Sequence, residues 1–247
     1  MVLQIGICSL LLTLPAPSVN DVDQANILIQ SIQFSSPDLT GIHKAELFTS
    51  SPKKHQNLTL KIDNKTVQQN IYWNSKIMIG DVDDDRSNEI FLYEYSVGSA
   101  GAMRLTVFGR VHNQWARIFT DPRINEEGVE QRFSNKYLGK NQLQFYDNLT
   151  QLSGKLDMSR YDYSQEQLKK MRLQTDPISE YIIHYENIGC QIETMRWIFA
   201  NSHPTSVLSV HDYYHYRFRD HSFSLYETKI LENDTVLGVK KYALNES

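Results

Sequence analysis

Cysteine is scarce in this 247-residue chain, which holds only Cys8 and Cys190. Two cysteines close at most one bridge, so a small disulfide-stapled scaffold is excluded. No apolar run reaches the roughly 20 residues that a spanning helix needs. Charge of one sign is not in excess either. The 25 lysines and arginines face 29 aspartates and glutamates, a formal charge of -4, which argues against nucleic acid as a partner. No Gly-x-Gly-x-x-Gly, Gly-Lys-Ser/Thr, His-Glu-x-x-His or Cys-x-x-Cys run occurs. Dinucleotide-binding, phosphate-loop, zinc-protease and dithiol readings therefore have no footing.

What is present suits a folded β protein. Hydrophobic residues make up 40% and charged residues 22% of the chain, and 14 Tyr, 10 Phe and 3 Trp favour strands and large packed side chains. Val2 to Leu14 is apolar and is followed by Pro15, Ala16 and Pro17. It resembles the hydrophobic part of a secretory signal, so residues 1–18 are a candidate signal or anchor segment. That reading puts the protein in a secreted or cell-envelope setting and leaves Cys190 alone in a buried apolar role. Asn-x-Ser/Thr triplets at Asn57, Asn64, Asn148, Asn233 and Asn245 are read first as turn formers.

Alternation and turn residues divide the rest into strands. Leu58–Ile62 and Val67–Trp73 flank Asp63-Asn64 as a hairpin. Strands are expected at Asn26–Gln33, Lys76–Ile79, Glu89–Val97, Leu105–Val111 and Trp115–Phe119. Along Glu89–Val97, Ile90 and Leu92 oppose Phe91, Tyr93 and Tyr95. The polar segment 121–132 is the candidate division of a mostly β domain covering 19–247. Beyond it come Gln142–Tyr146, Tyr181–Tyr185, Glu193–Ala200, Ser206–Arg219, Phe223–Leu231 and Val236–Leu244. One short helix is expected near 165–173, because Ser164 and Gln167 form a capping box. The fold class is mainly β with antiparallel sheets.

The acidic loop after Gly80 carries the densest chemistry. Asp81, Asp83, Asp85 and Glu89 stand at relative positions 1, 3, 5 and 9, with Ser87 able to offer a main-chain carbonyl. Alternate oxygens turned toward one point suit a hard cation, Ca2+ above all. A cation would also convert the repulsion of crowded carboxylates into attraction. The competing reading is a solvated acidic turn between two strands.

The run Gly80-Asp81-Val82-Asp83-Asp84-Asp85, with Asn88-Glu89-Ile90-Phe91-Leu92 behind it, resembles the FG-GAP or VCBS-type repeats of bacterial secreted or surface proteins. The resemblance is specific over residues 76–95. It implies a strand-loop-strand calcium site and a propeller-like arrangement with degenerate blades; a sandwich or irregular β domain fits the pattern equally. Arg86 replaces the family's usual glycine, a position where a left-handed backbone is expected. A weaker echo at Tyr185–Glu193 retains only Asn187 and Glu193 as equivalents.

His211, Tyr213, His215 and Arg217 alternate along one strand and form a candidate ligand face, suited to an acidic or sugar-like ligand. Zinc is a poor fit there, since strand positions four apart are separated by about 13 Å. Carboxylates are not paired in a glycosidase pattern, and Ser99 lacks a nucleophile elbow. The leading expectation is a non-enzymatic, extracytoplasmic, calcium-binding scaffold with a protein or glycan partner at the cell surface. The alternatives are an extracellular hydrolase on a β scaffold and a carbohydrate-binding or adhesion module.

Overall fold

The computed structural model describes residues 27–35, 41–50, 56–72, 74–82, 85–96, 101–120, 132–186, 189–201 and 206–243. The candidate signal segment lies outside them, as does the candidate division except for its last residue, Arg132. Among the described residues no helix is long and apolar enough to cross a membrane.

Among the described residues sixteen strands run as four antiparallel meanders; the alternation does not predict those at 43–49, 133–139 and 153–157. The first sheet is β1 (Ile27–Phe34), β2 (His43–Thr49), β3 (Gln56–Ile62) and β4 (Lys65–Tyr72). The second is β5 (Ser75–Gly80), β6 (Glu89–Tyr95), β7 (Met103–Val111) and β8 (Gln114–Thr120). The third has β9 (Phe133–Gly139), β10 (Gln142–Asp147) and β11 (Ser153–Asp157). The fourth has β12 (Leu173–Glu186), β13 (Gly189–Ala200), β14 (Ser206–Arg217), β15 (Ser222–Glu232) and β16 (Thr235–Lys241).

Four of the hairpins turn on two left-handed residues each: Asp63-Asn64, His112-Asn113, Lys140-Asn141 and Asn233-Asp234, all with φ between 44° and 65°. Such turns carry the twist that antiparallel strands need, and asparagine and aspartate tolerate them best. The helix α1 (Gln165–Lys170) has the expected capping box but is only six residues long. It stops at Met171 because Leu173 already belongs to β12.

The propeller expectation is overturned. A propeller repeats similar blades about an axis, each packed on the next in sequence. Here the sheets are open and have 4, 4, 3 and 5 strands. The strands of the last sheet run to 14 residues, whereas β11 has five. Among the described residues the hydrophobic cores fall between the first and second sheets, the second and fourth, and the fourth and third. The fourth sheet, not the third, packs on the second.

One face of the long fourth sheet thus covers two smaller sheets. Cys190, Ile192, Tyr214 and Tyr216 meet the second sheet, and Ile198, Ala200, Leu208 and Val210 meet the third. Phe119 of β8 is the hub of the first of these contacts, edge-on to Tyr181, Tyr214 and Phe223. Cys190 is a buried thiol, as a small apolar residue would be. The second sheet is buried on both faces: Ile90 and Leu92 enter one core, Phe91 and Tyr93 the other.

Candidate functional site

The acidic loop joins β5 to β6 and closes on its own amides. Asp81 accepts the Arg86 N–H at 2.9 Å, Asp85 accepts the Ser87 N–H at 2.6 Å, and buried Glu89 accepts the Val82 N–H at 2.8 Å. Arg86 takes the left-handed conformation expected where the family has glycine, at φ 69°. Val82 plugs the core between the second and fourth sheets, and its carbonyl accepts the Cys190 N–H at 2.8 Å. Asn88 ties the loop to the Ser35 carbonyl at 3.0 Å. The loop is a latch between three sheets. Asp83 and Asp84 lie outside the described residues. Among the described residues no three acidic, histidine or cysteine side chains gather closely enough to hold a metal ion. At the weaker echo Glu186 pairs with Gly189 across a two-residue hairpin, a turn with no room for an ion loop, and Asn187 lies outside the described residues.

Glu193 serves elsewhere, on the face of the fourth sheet that points away from the cores. In register, β12 sets His184 opposite Gln191, and β14 sets Tyr213 opposite Glu193 and His215 opposite Gln191. Glu193 Oε1 accepts from His211 Nδ1 at 2.5 Å and from the Tyr213 hydroxyl at 3.2 Å. Its Oε2 accepts from His184 Nε2 at 2.6 Å. Burial raises the affinity of this carboxyl for a proton, but the bonds from His211 and His184 outweigh it and bring the pKa down to about 2. Tyr213 responds in the opposite direction, its phenol pushed up by burial and by the neighbouring Glu193 charge.

The network extends sideways. Tyr226 donates to Gln191 Oε1 at 2.7 Å and stands edge-on to Tyr213 and His215. The Lys229 ammonium lies 4.3 Å from the Tyr213 ring centre and pairs with Glu227 at 2.9 Å. Trp197, on the same face, is 40% exposed. Three of the four expected face residues, His211, Tyr213 and His215, therefore do share one polar aromatic surface. Arg217 does not join the network; it pairs with Asp220 in the β14–β15 hairpin.

His211 Nε2 is 3.0 Å from the Ser209 hydroxyl, so Ser209, His211 and Glu193 line up as hydroxyl, imidazole and carboxylate. That order can polarise the hydroxyl. Acyl transfer also needs donors aimed at a developing oxyanion. Ser209 sits mid-strand, paired with Trp197 on one side and Leu231 on the other, and the ladder uses the nearby main-chain amides. The arrangement holds and orients polar groups.

Sequence reasoning missed Glu193 in this role, together with His184, Ser209, Gln191, Tyr226 and Lys229. Their meeting is set by cross-strand register, which one strand's alternation does not contain. The position of the β12–β13 turn was the available signal, since a two-residue hairpin there fixes His184 opposite Gln191. No family model, curated protein or solved structure matches the chain, so the FG-GAP/VCBS assignment and the calcium site implied by it have no support outside the loop's own sequence.

Proposed function

We propose that this protein is a non-enzymatic β scaffold that binds a neutral saccharide on the outer face of its fourth sheet, in the extracytoplasmic setting expected from Val2–Leu14. The observation that carries the reading is a fixed carboxylate, Glu193, held by His184, His211 and Tyr213 near Tyr226 and His215, with half-exposed Trp197 further along the same face. Sugars offer hydroxyls to carboxylate and imidazole and apolar C–H faces to aromatic rings. The face supplies both in one plane, and its groups are preorganised by one another, which lowers the entropy lost on binding. An interaction role fits a mainly β chain whose cores are closed on the opposite face.

A glycan array probed with the full chain tests the reading, followed by titration of any hit. Glu193→Gln and Tyr226→Phe are each expected to weaken binding at least tenfold, with the melting temperature of Tyr226→Phe within a few degrees of wild type. Absence of any glycan hit, or equal affinity in both variants, would sink the assignment.

A further inference from the structure

A cleft of about 770 Å3 lies between the third sheet and the start of β12. Its apolar floor is Phe133, Met171 and Leu173, all buried in the core between the fourth and third sheets. Asn135 fixes one wall to the other: its amide Nδ2 donates to the Met171 carbonyl at 3.1 Å, and its Oδ1 accepts the Leu173 N–H at 2.9 Å. These two bonds tie Met171 and Leu173 to β9.

Among the described residues the charge in this cleft is all of one sign. Lys169, Lys170 and Arg172 line it with no described aspartate or glutamate beside them, although the whole chain carries a formal charge of -4. Lys170 reaches Glu166 one helical turn back at 3.2 Å, with both side chains more than three-quarters exposed, a pair too solvated to neutralise the site. Lys169 and Lys170 also complement the C-terminal end of the α1 dipole, which accounts for their presence in part. Arg172 stands beyond the helix, where no dipole requires it. Ser134, Asn148 and Gln174 add neutral hydroxyl and amide groups to the rim. A cationic cleft in an otherwise acidic molecule focuses field on an anion, and its volume is that of a small-ligand site.

From this geometry we infer that the cleft binds an acidic saccharide unit through its sulfate groups, with Lys169, Lys170 and Arg172 as the anion contacts. The hydroxyl and amide rim matches sugar hydroxyls. Nucleic acid is disfavoured by the lining, whose one aromatic, Phe133, is 4% exposed and presents no stacking platform. The site is independent of Glu193 and stands or falls separately from the face on the fourth sheet.

The test is calorimetric titration of the full chain with a sulfated heparin tetrasaccharide, the same tetrasaccharide desulfated, inorganic sulfate, and a short oligothymidylate of matched charge. The expected result is binding of the sulfated tetrasaccharide alone, weakened at least tenfold in Lys169→Ala/Arg172→Ala and changed less than twofold in Glu193→Gln. Both replaced side chains are exposed, so the double variant should melt with the wild type. Undiminished binding in the double variant would overturn the assignment, as would equal binding of the desulfated sugar. Oligothymidylate or inorganic sulfate binding as tightly would overturn the saccharide class in favour of a general polyanion or small-anion site.

Discussion

At Glu193 two opposing effects meet, and their balance makes a residue-scale prediction. Desolvation favours the protonated acid, while His211 and His184 favour the carboxylate, and the bonds win, bringing the pKa to about 2. The ordinary value is 4.5, which stands for the unfolded chain. A folded-state pKa below the unfolded one means that the unfolded chain binds the proton more readily. The resulting stabilisation is complete above about pH 4.5 and disappears as pH falls toward 2. Its full size is on the order of 1–3 kcal/mol once solvent screening is allowed for. Glu193→Gln should therefore be less stable than wild type at pH 7, with the gap narrowing as pH falls from 5 to 2. Urea unfolding of both proteins at several pH values in that window checks this; a gap independent of pH would show that the histidines do not hold the charge.

Element-scale packing is tightest where a glycine admits a ring. Gly154 of β11 lies directly across from Phe145 of β10, and a Cβ added there would meet the Phe145 ring at 2.6 and 2.7 Å. Phe145 is 1% exposed and has no room to swing aside. Gly154→Ala should cost about 1–3 kcal/mol by overpacking, read as a lower urea midpoint with an unchanged slope. Gly154→Ala/Phe145→Leu should regain part of the loss; if Gly154→Ala alone is neutral, the ring is not confined there. The same third sheet was hard to read in advance. Strand β10 was legible from Leu143 and Phe145, but β9 (FSNKYLG) is mostly polar and β11 (SGKLD) is short, and both carry a glycine and alternate weakly in sequence. The hairpins were legible where turn residues are diagnostic, as at Asp63-Asn64. Strand β6 was legible on both faces, since Ile90 and Leu92 separate from Phe91 and Tyr93 in sequence as they do between cores. The candidate face was visible only as one strand's alternation, because its central carboxylate arrives from the neighbouring strand by register.

Across the whole molecule, the fourth sheet must serve two cores, and between them its covered face turns polar. Thr194, Arg196, Asp212 and Thr228 are buried there, a row that would be costly if left unpaired. Arg132, just ahead of β9, inserts into this seam. Its guanidinium donates to both oxygens of Asp147 at 3.0 and 2.9 Å and to Asp212 at 2.8 and 3.3 Å. Thr150 and Thr228 donate to the same two carboxylates at 2.8 and 2.6 Å. Burial by itself would lower the guanidinium's affinity for its proton; the charges and hydrogen bonds of Asp212 and Asp147 reverse that and raise it. One cation thus links the third sheet, through Asp147, to the fourth, through Asp212, with both acids fully buried. Such a clamp contributes little beyond an apolar contact, yet breaking it strands two buried charges. Arg132→Met should lose about 3–5 kcal/mol, whereas Arg132→Met/Asp147→Asn/Asp212→Asn should recover at least half of that loss by removing the stranded charges. Because the clamp joins two sheets, the single variant should also unfold with a shallower urea slope, as the third sheet separates before the rest. A cost below about 1 kcal/mol for Arg132→Met, or no recovery in the triple variant, would mean that the two cores alone keep these sheets together.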